Sequence, residues 1–90
     1  MRYLHVKWVH KNPNDPVHMY SEIDDESYEV RKVEVFGDGH RGFADSSEQA
    51  GGTVLGSMPV PSIEDIAADP QFEPKVIPQE EFQRIWMKRR

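Results

Sequence analysis

From Ser27 to Ala44 the chain reads SYEVRKVEVFGDGHRGFA, and this stretch constrains the fold more than any other. Arg31, Val33 and Val35 alternate with Val30, Lys32, Glu34 and Phe36. That is the period of a β-strand, whose successive side chains point to opposite faces. Gly37-Asp38-Gly39 then ends the strand with a turn signal, because Asp-Gly suits backbone positions with φ > 0. A second short strand over His40 to Ala44 can return beside the first. The pattern predicts a β-hairpin, with the other segments as strands beside it or helices over it.

Two strands are predicted before the hairpin. Over Arg2 to His10, Leu4, Val6 and Trp8 share one face, and Tyr3, His5, Lys7 and Val9 share the other. Lys11 to Pro16 is rich in proline and asparagine and reads as a loop. Val17 to Ile23 alternates again, with Met19 and Ser21 on the Val17 face and His18, Tyr20 and Glu22 on the opposite one. Asp24 to Ser27 is a polar turn, and connections this short favour antiparallel neighbours. After Ala44, the acidic, Gly-rich run Asp45 to Gly52 reads as a loop and Thr53 to Gly56 as a short edge strand. Ser57 to Pro61 runs extended. Ser62 suits a helix N-cap, with Ile63, Ile66 and Ala67 as a small apolar stripe, and Asp69-Pro70 must end that helix. Gln71 to Val76 reads as a linker. Pro78 to Lys88 forms a second helix, with Phe82, Ile85 and Trp86 on one face and Lys88, Arg89 and Arg90 suiting its negative end.

These elements predict one α+β domain over residues 1–90: a small antiparallel sheet of three to five strands, with two C-terminal helices packed on one face. Leu4, Val6, Trp8, Val17, Met19, Val33 and Val35 are the expected core face. His5, Lys7, Tyr20, Glu22, Lys32 and Glu34 are expected on the open face. A chain of 90 residues buries a modest fraction of its surface, so its stability is expected to be marginal.

Composition narrows the function classes. There is no cysteine, which excludes disulfide staples and thiolate metal sites and fits a reducing compartment. A formal charge of −5 argues against broad electrostatic binding to nucleic acid. No apolar run approaches the roughly 18 residues of a membrane span, and no signal-peptide pattern opens the chain. A soluble cytoplasmic protein, without a nucleic-acid or membrane partner, is the expectation.

Motifs for catalysis or cofactors are missing. There is no HExxH, GxSxG elbow or Gly-rich phosphate loop, so no cofactor is expected. His5 and His10 fall on opposite strand faces. His5 and His18 share one, near Glu22, but unligated strand histidines explain them equally, and no metal is expected. Glu22 and Glu34 among Lys7 and Lys32 suit an acid–base pair, and cross-strand ion pairs explain the same pattern without chemistry. Tyr20, between His18 and Glu22, can stack on a base or anchor a protein interface. Arg31 alternates with Val33 and Val35 toward the core, where it needs a partner. It either joins His10 and Ser21 around an anion or holds its head in water at the sheet margin. His10, Tyr20, Glu22, Arg31, Lys32 and Glu34 are the candidate binding residues.

Several short runs carry a resemblance: Trp8-Val9-His10, Asp15-Pro16-Val17, Tyr20-Ser21-Glu22, Glu29 to Glu34, and Phe36 with Asp38-Gly39. Gly51-Gly52-Thr53, Leu55-Gly56, Pro59 with Pro61-Ser62, and Glu81-Phe82 extend it over nearly the whole chain. The chain resembles a family of small bacterial and phage-borne domains of unknown function, DUF6881-like. The resemblance implies no activity. Pro78 stands where a serine-like N-cap is more usual. The function expected from the residues is a non-catalytic module that binds a protein partner, in the manner of an immunity or anti-defence protein. The acidic charge would suit a basic target. The alternative is a domain for a small anionic ligand or nucleotide, using the open sheet face with Arg31 and Lys32.

Overall fold

The computed structural model describes residues 1–90. The hairpin forms as its sequence requires. Strand β3 (Glu29–Phe36) and strand β4 (Arg41–Ala44) pair antiparallel, Val33 opposite Phe43. The turn between them closes with the Phe36 N–H donating to His40 O and the Gly39 N–H donating to Phe36 O. Gly39 holds φ at +91°, a left-handed position that favours glycine. Strands β1 (Arg2–Trp8) and β2 (Pro16–Ile23) form a second antiparallel pair that joins β3 through β2.

Two further strands raise the count to six. Gln49–Ala50, within the segment expected to be a loop, pairs with β4 as β5. Phe72–Val76, expected to be a linker, pairs with β1 as β6. Pro74 hides this strand in the sequence, and the geometry explains how it is tolerated. β6 is an edge strand, and its bonds to β1 include those at Gln71 and Ile77. Alternation then turns the Pro74 nitrogen outward, where a missing N–H costs nothing. Thr53 to Gly56, by contrast, is not a strand. The sheet order is β5-β4-β3-β2-β1-β6, all antiparallel.

The two helices do not share a face, which corrects the expected layout. Helix α1 (Ile63–Ala67) is capped by Ser62, whose Oγ accepts from the Asp65 N–H at 3.1 Å. Its Ile63 and Ile66 pack with Leu4, Val6, Ile23, Met19 and Phe72. Helix α2 (Gln79–Met87) starts at Pro78 without a side-chain cap. Its Phe82 and Trp86 pack with Tyr3, Val33 and Phe43. Tyr3 and Leu4 are adjacent on one strand, so the two clusters lie on opposite sides of the sheet. Register decides this. Tyr20 pairs with Val33 and Met19 with Glu34, so Val33 shares a face with Tyr3 rather than with Met19. After β5 the chain crosses beneath the sheet through residues 53–67 to the far edge. After β6 it returns above through α2.

Candidate functional site

Register and crossover place the expected site residues apart. Tyr20, Glu22 and Arg31 face α2, whereas Lys32 and Glu34 face the 53–62 segment. Glu22 is buried, and Arg31 grips it with Nε donating to Oε1 at 2.6 Å and a terminal nitrogen donating to Oε2 at 2.9 Å. The Tyr3 hydroxyl donates to the same carboxylate at 3.0 Å. The Arg31 guanidinium also lies 5.0 Å from the Phe82 ring centre and 5.1 Å from that of Trp86. Its hydrogen bond holds the Glu22 carboxyl below the ordinary carboxylate range, and the same bond raises Arg31. Burial raises the Tyr3 hydroxyl. Neither alternative for Arg31 forms: its head is neither in water nor beside His10 and Ser21. His10 bonds Pro16 O at 2.8 Å, and Ser21 donates to Glu29 on the other face.

Lys32 and Glu34 are likewise partnered inside the fold. Lys32 pairs with Glu29 at 3.4 Å and with Glu34 at 4.0 Å. Glu34 accepts from the Thr53 hydroxyl at 2.7 Å, and Glu29 accepts from the Gly56 N–H at 2.7 Å. This network pins the 53–56 segment under the sheet. The cations expected to meet an anion are therefore occupied by internal carboxylates.

Beside α2 the upper face carries an aromatic group. His5 and Tyr20 stack at 4.4 Å, and His5 Nε2 meets His18 Nδ1 at 2.9 Å. One nitrogen must donate and the other accept, so the two rings cannot both be fully protonated while bonded. Burial, followed by the His18 charge, lowers the His5 pKa; burial raises Tyr20. No third metal-type ligand joins the two histidines.

The strongest convergence of charge lies elsewhere, where the β3–β4 turn meets the C-terminal end of α2. A cleft of about 650 Å³ is lined by His40, Arg41, Lys88, Arg89 and Arg90, with Phe43 and Ala50 among its walls. The last carbonyls of a helix lack intrahelical donors and attract cations. Here Arg41 donates to Lys88 O and Arg89 to Trp86 O, each at 3.0 Å. The Arg89 guanidinium also lies over Trp86 at 4.1 Å and over Phe43 at 5.0 Å. These contacts fix two guanidinium planes while leaving most of their donors unspent. Two other depressions converge less charge. One, of about 470 Å³, is the outer groove of α2 alone, and one of about 330 Å³ between α1 and the sheet is largely apolar. The sequence signal for the cleft was present in His40-Arg41 after the turn and in the terminal Lys88-Arg89-Arg90 run. The first was read only as a strand start and the second only as helix-end charge.

A family model described as a domain of unknown function (DUF6881) matches residues 2–90. The chain belongs to that family. DUF6881 membership accounts for the chain from its second residue to its ninetieth, and it brings no mechanism with it. No curated protein and no solved structure matches the chain. No helix is long and apolar enough to cross a membrane.

Proposed function

We propose that this domain is a non-catalytic binding module and that an anion in the cationic cleft is what it binds. The observation that carries this reading is the convergence of His40, Arg41, Lys88, Arg89 and Arg90 on one open cleft in a chain of net charge −5. Arg41 and Arg89 are already held in place, so an incoming anion need not order them. The cytoplasm, expected from a cysteine-free chain, is the compartment in this reading. Titration calorimetry with tripolyphosphate tests it. Binding should weaken steeply with salt. Lys88→Ala and Arg90→Ala, both at exposed positions, should each weaken it by about tenfold, the scale of one charge-assisted contact. Lys7→Ala and Lys75→Ala, outside the cleft, should leave it unchanged. No binding, or equal loss from all four variants, overturns the reading.

A second reading, a protein partner of immunity or anti-defence type, draws on a different feature. The Val60 N–H donates to Ser27 O at 2.7 Å, tying the approach to α1 to the turn that carries Asp24, Asp25 and Glu26. Glu64 and Asp65 follow in the first turn of α1. An acidic surface of this kind suits a basic protein target. Charge reversal at Asp25 and Glu64 should abolish capture of such a target and leave tripolyphosphate binding intact. If capture survives the reversal, this reading fails.

A further inference from the structure

We propose that the cleft takes a nucleoside phosphate unit, with its phosphate on Arg41, Arg89 and Arg90 and its base against His40. This rests on the anion reading above and goes beyond it in requiring a planar group beside the charge. The His40 ring lies flat on Phe36, with centres 4.2 Å apart and planes 8° from parallel. His40 lines the cleft and Phe36 does not. One ring face is therefore covered, and the free face is turned toward the cleft. The Asp38 carboxylate bonds both the backbone N–H and Nδ1 of His40, which fixes the ring as a platform before any ligand arrives. Stacking on such a ring is tolerant of base identity, because every base presents a π-face.

The phosphate side is equally specific. The Nε of Arg89 is buried and has no hydrogen-bond partner, a donor left unspent next to two aromatic rings. Arg90 holds both carboxylate oxygens of Glu48, at 2.7 and 2.9 Å. That pair is exposed, with side chains at 62% and 41%, so it contributes little and can exchange for a phosphate of similar geometry. The cleft, about 650 Å³, lies within the size range of small-ligand sites. The expectation of no nucleic acid came from net charge, which averages over acidic residues on other surfaces and does not describe this corner.

The unit can be a free nucleotide or part of a single strand, and calorimetry on the full chain separates the two. The probes are pyrophosphate, adenosine diphosphate and a riboadenylate hexamer. Adenosine diphosphate should bind at least about fivefold tighter than pyrophosphate. His40→Ala should remove that advantage and leave pyrophosphate unaffected, whereas His40→Phe should preserve it. Tighter binding of the hexamer assigns the source to a single strand, and equal or weaker binding assigns it to the free nucleotide. If His40→Ala lowers the melting temperature, saturation-transfer NMR on the unmutated chain decides: transfer to base protons supports the proposal and its absence overturns it. Equal affinity for adenosine diphosphate and pyrophosphate, indifferent to His40, overturns this inference and leaves the anion reading standing. If no probe binds, both fall.

Discussion

Removing the Glu22 carboxylate should be among the most damaging single changes in the domain. Glu22 lies on a strand face that alternation alone assigns to solvent, where substitutions usually stay within about 0.5 kcal/mol. In the fold its side chain is 10% exposed and that of Arg31 20%. Glu22→Leu strands the Arg31 cation between Phe82, Trp86 and Tyr3, and leaves the Tyr3 hydroxyl without its acceptor. Breaking a fully buried pair costs about 3–5 kcal/mol. Residual exposure of Arg31 lets water repay part of that, so we expect about 2–4 kcal/mol. For a chain this short, that lowers the melting temperature by roughly 8–30 °C. Arg31→Met should cost about as much, since it leaves the carboxylate buried and unpaired. The double variant Glu22→Leu with Arg31→Met should recover to within about 2 kcal/mol of the starting protein, because two apolar groups need no partner. Acid probes the same pair. The folded Glu22 is depressed below 4.5, so its stabilisation is present above that value and is lost as pH falls through the lower folded one. Urea denaturation of the four proteins supplies the cycle. A loss under about 1 kcal/mol for Glu22→Leu, or a double variant as unstable as the sum of the singles, refutes this account of the network.

Three other outcomes are expected. Trp86→Ala deletes a buried ring that meets Phe43 edge-on at 5.9 Å, and should cost about 3–5 kcal/mol in chemical denaturation; a cost below about 1 would show that α2 does not dock. Gly42→Ala puts a methyl group against the buried Thr53 hydroxyl and within 3.1 Å of two backbone oxygens, so thermal melting should reveal a loss of about 1–3 kcal/mol, and a neutral result would mean the 53–56 segment is not seated as described. His5 sits below its ordinary 6.5 in the folded chain, so the unfolded chain takes the proton first and stability present above 6.5 drains as pH falls below it. Melting followed from about pH 7.5 to 5 should fall less steeply in His5→Phe, and identical slopes would count against the buried histidine pair.

Local chemistry alone was enough to settle much of this chain. Strand alternation assigned the two faces of β1, β2 and β3 correctly within each strand. Gly39 marked the hairpin turn, Ser62 the start of α1, Asp69-Pro70 its end, and the Phe82, Ile85, Trp86 spacing the docking face of α2. These signals are local because each depends on the backbone geometry of a few consecutive residues. What joins one strand's face to its neighbour's is register, a relation between residues far apart in the chain. β2 and β3 carry apolar or aromatic side chains on both faces, so hydrophobicity does not choose the register. Bulges between Pro16 and His18 and between Glu22 and Ile23 shift it further. Pairing Tyr20 rather than Met19 with Val33 turned the expected single core into two. It buried Glu22 against Arg31 and sent Lys32 and Glu34 to the opposite side. The cleft needed more distance still, because Arg41 and Lys88 are 47 residues apart in sequence. They meet only once α2 has crossed the sheet from the β1 edge to β4. Charge runs visible in a sequence become a site only when tertiary structure decides which of them already have partners.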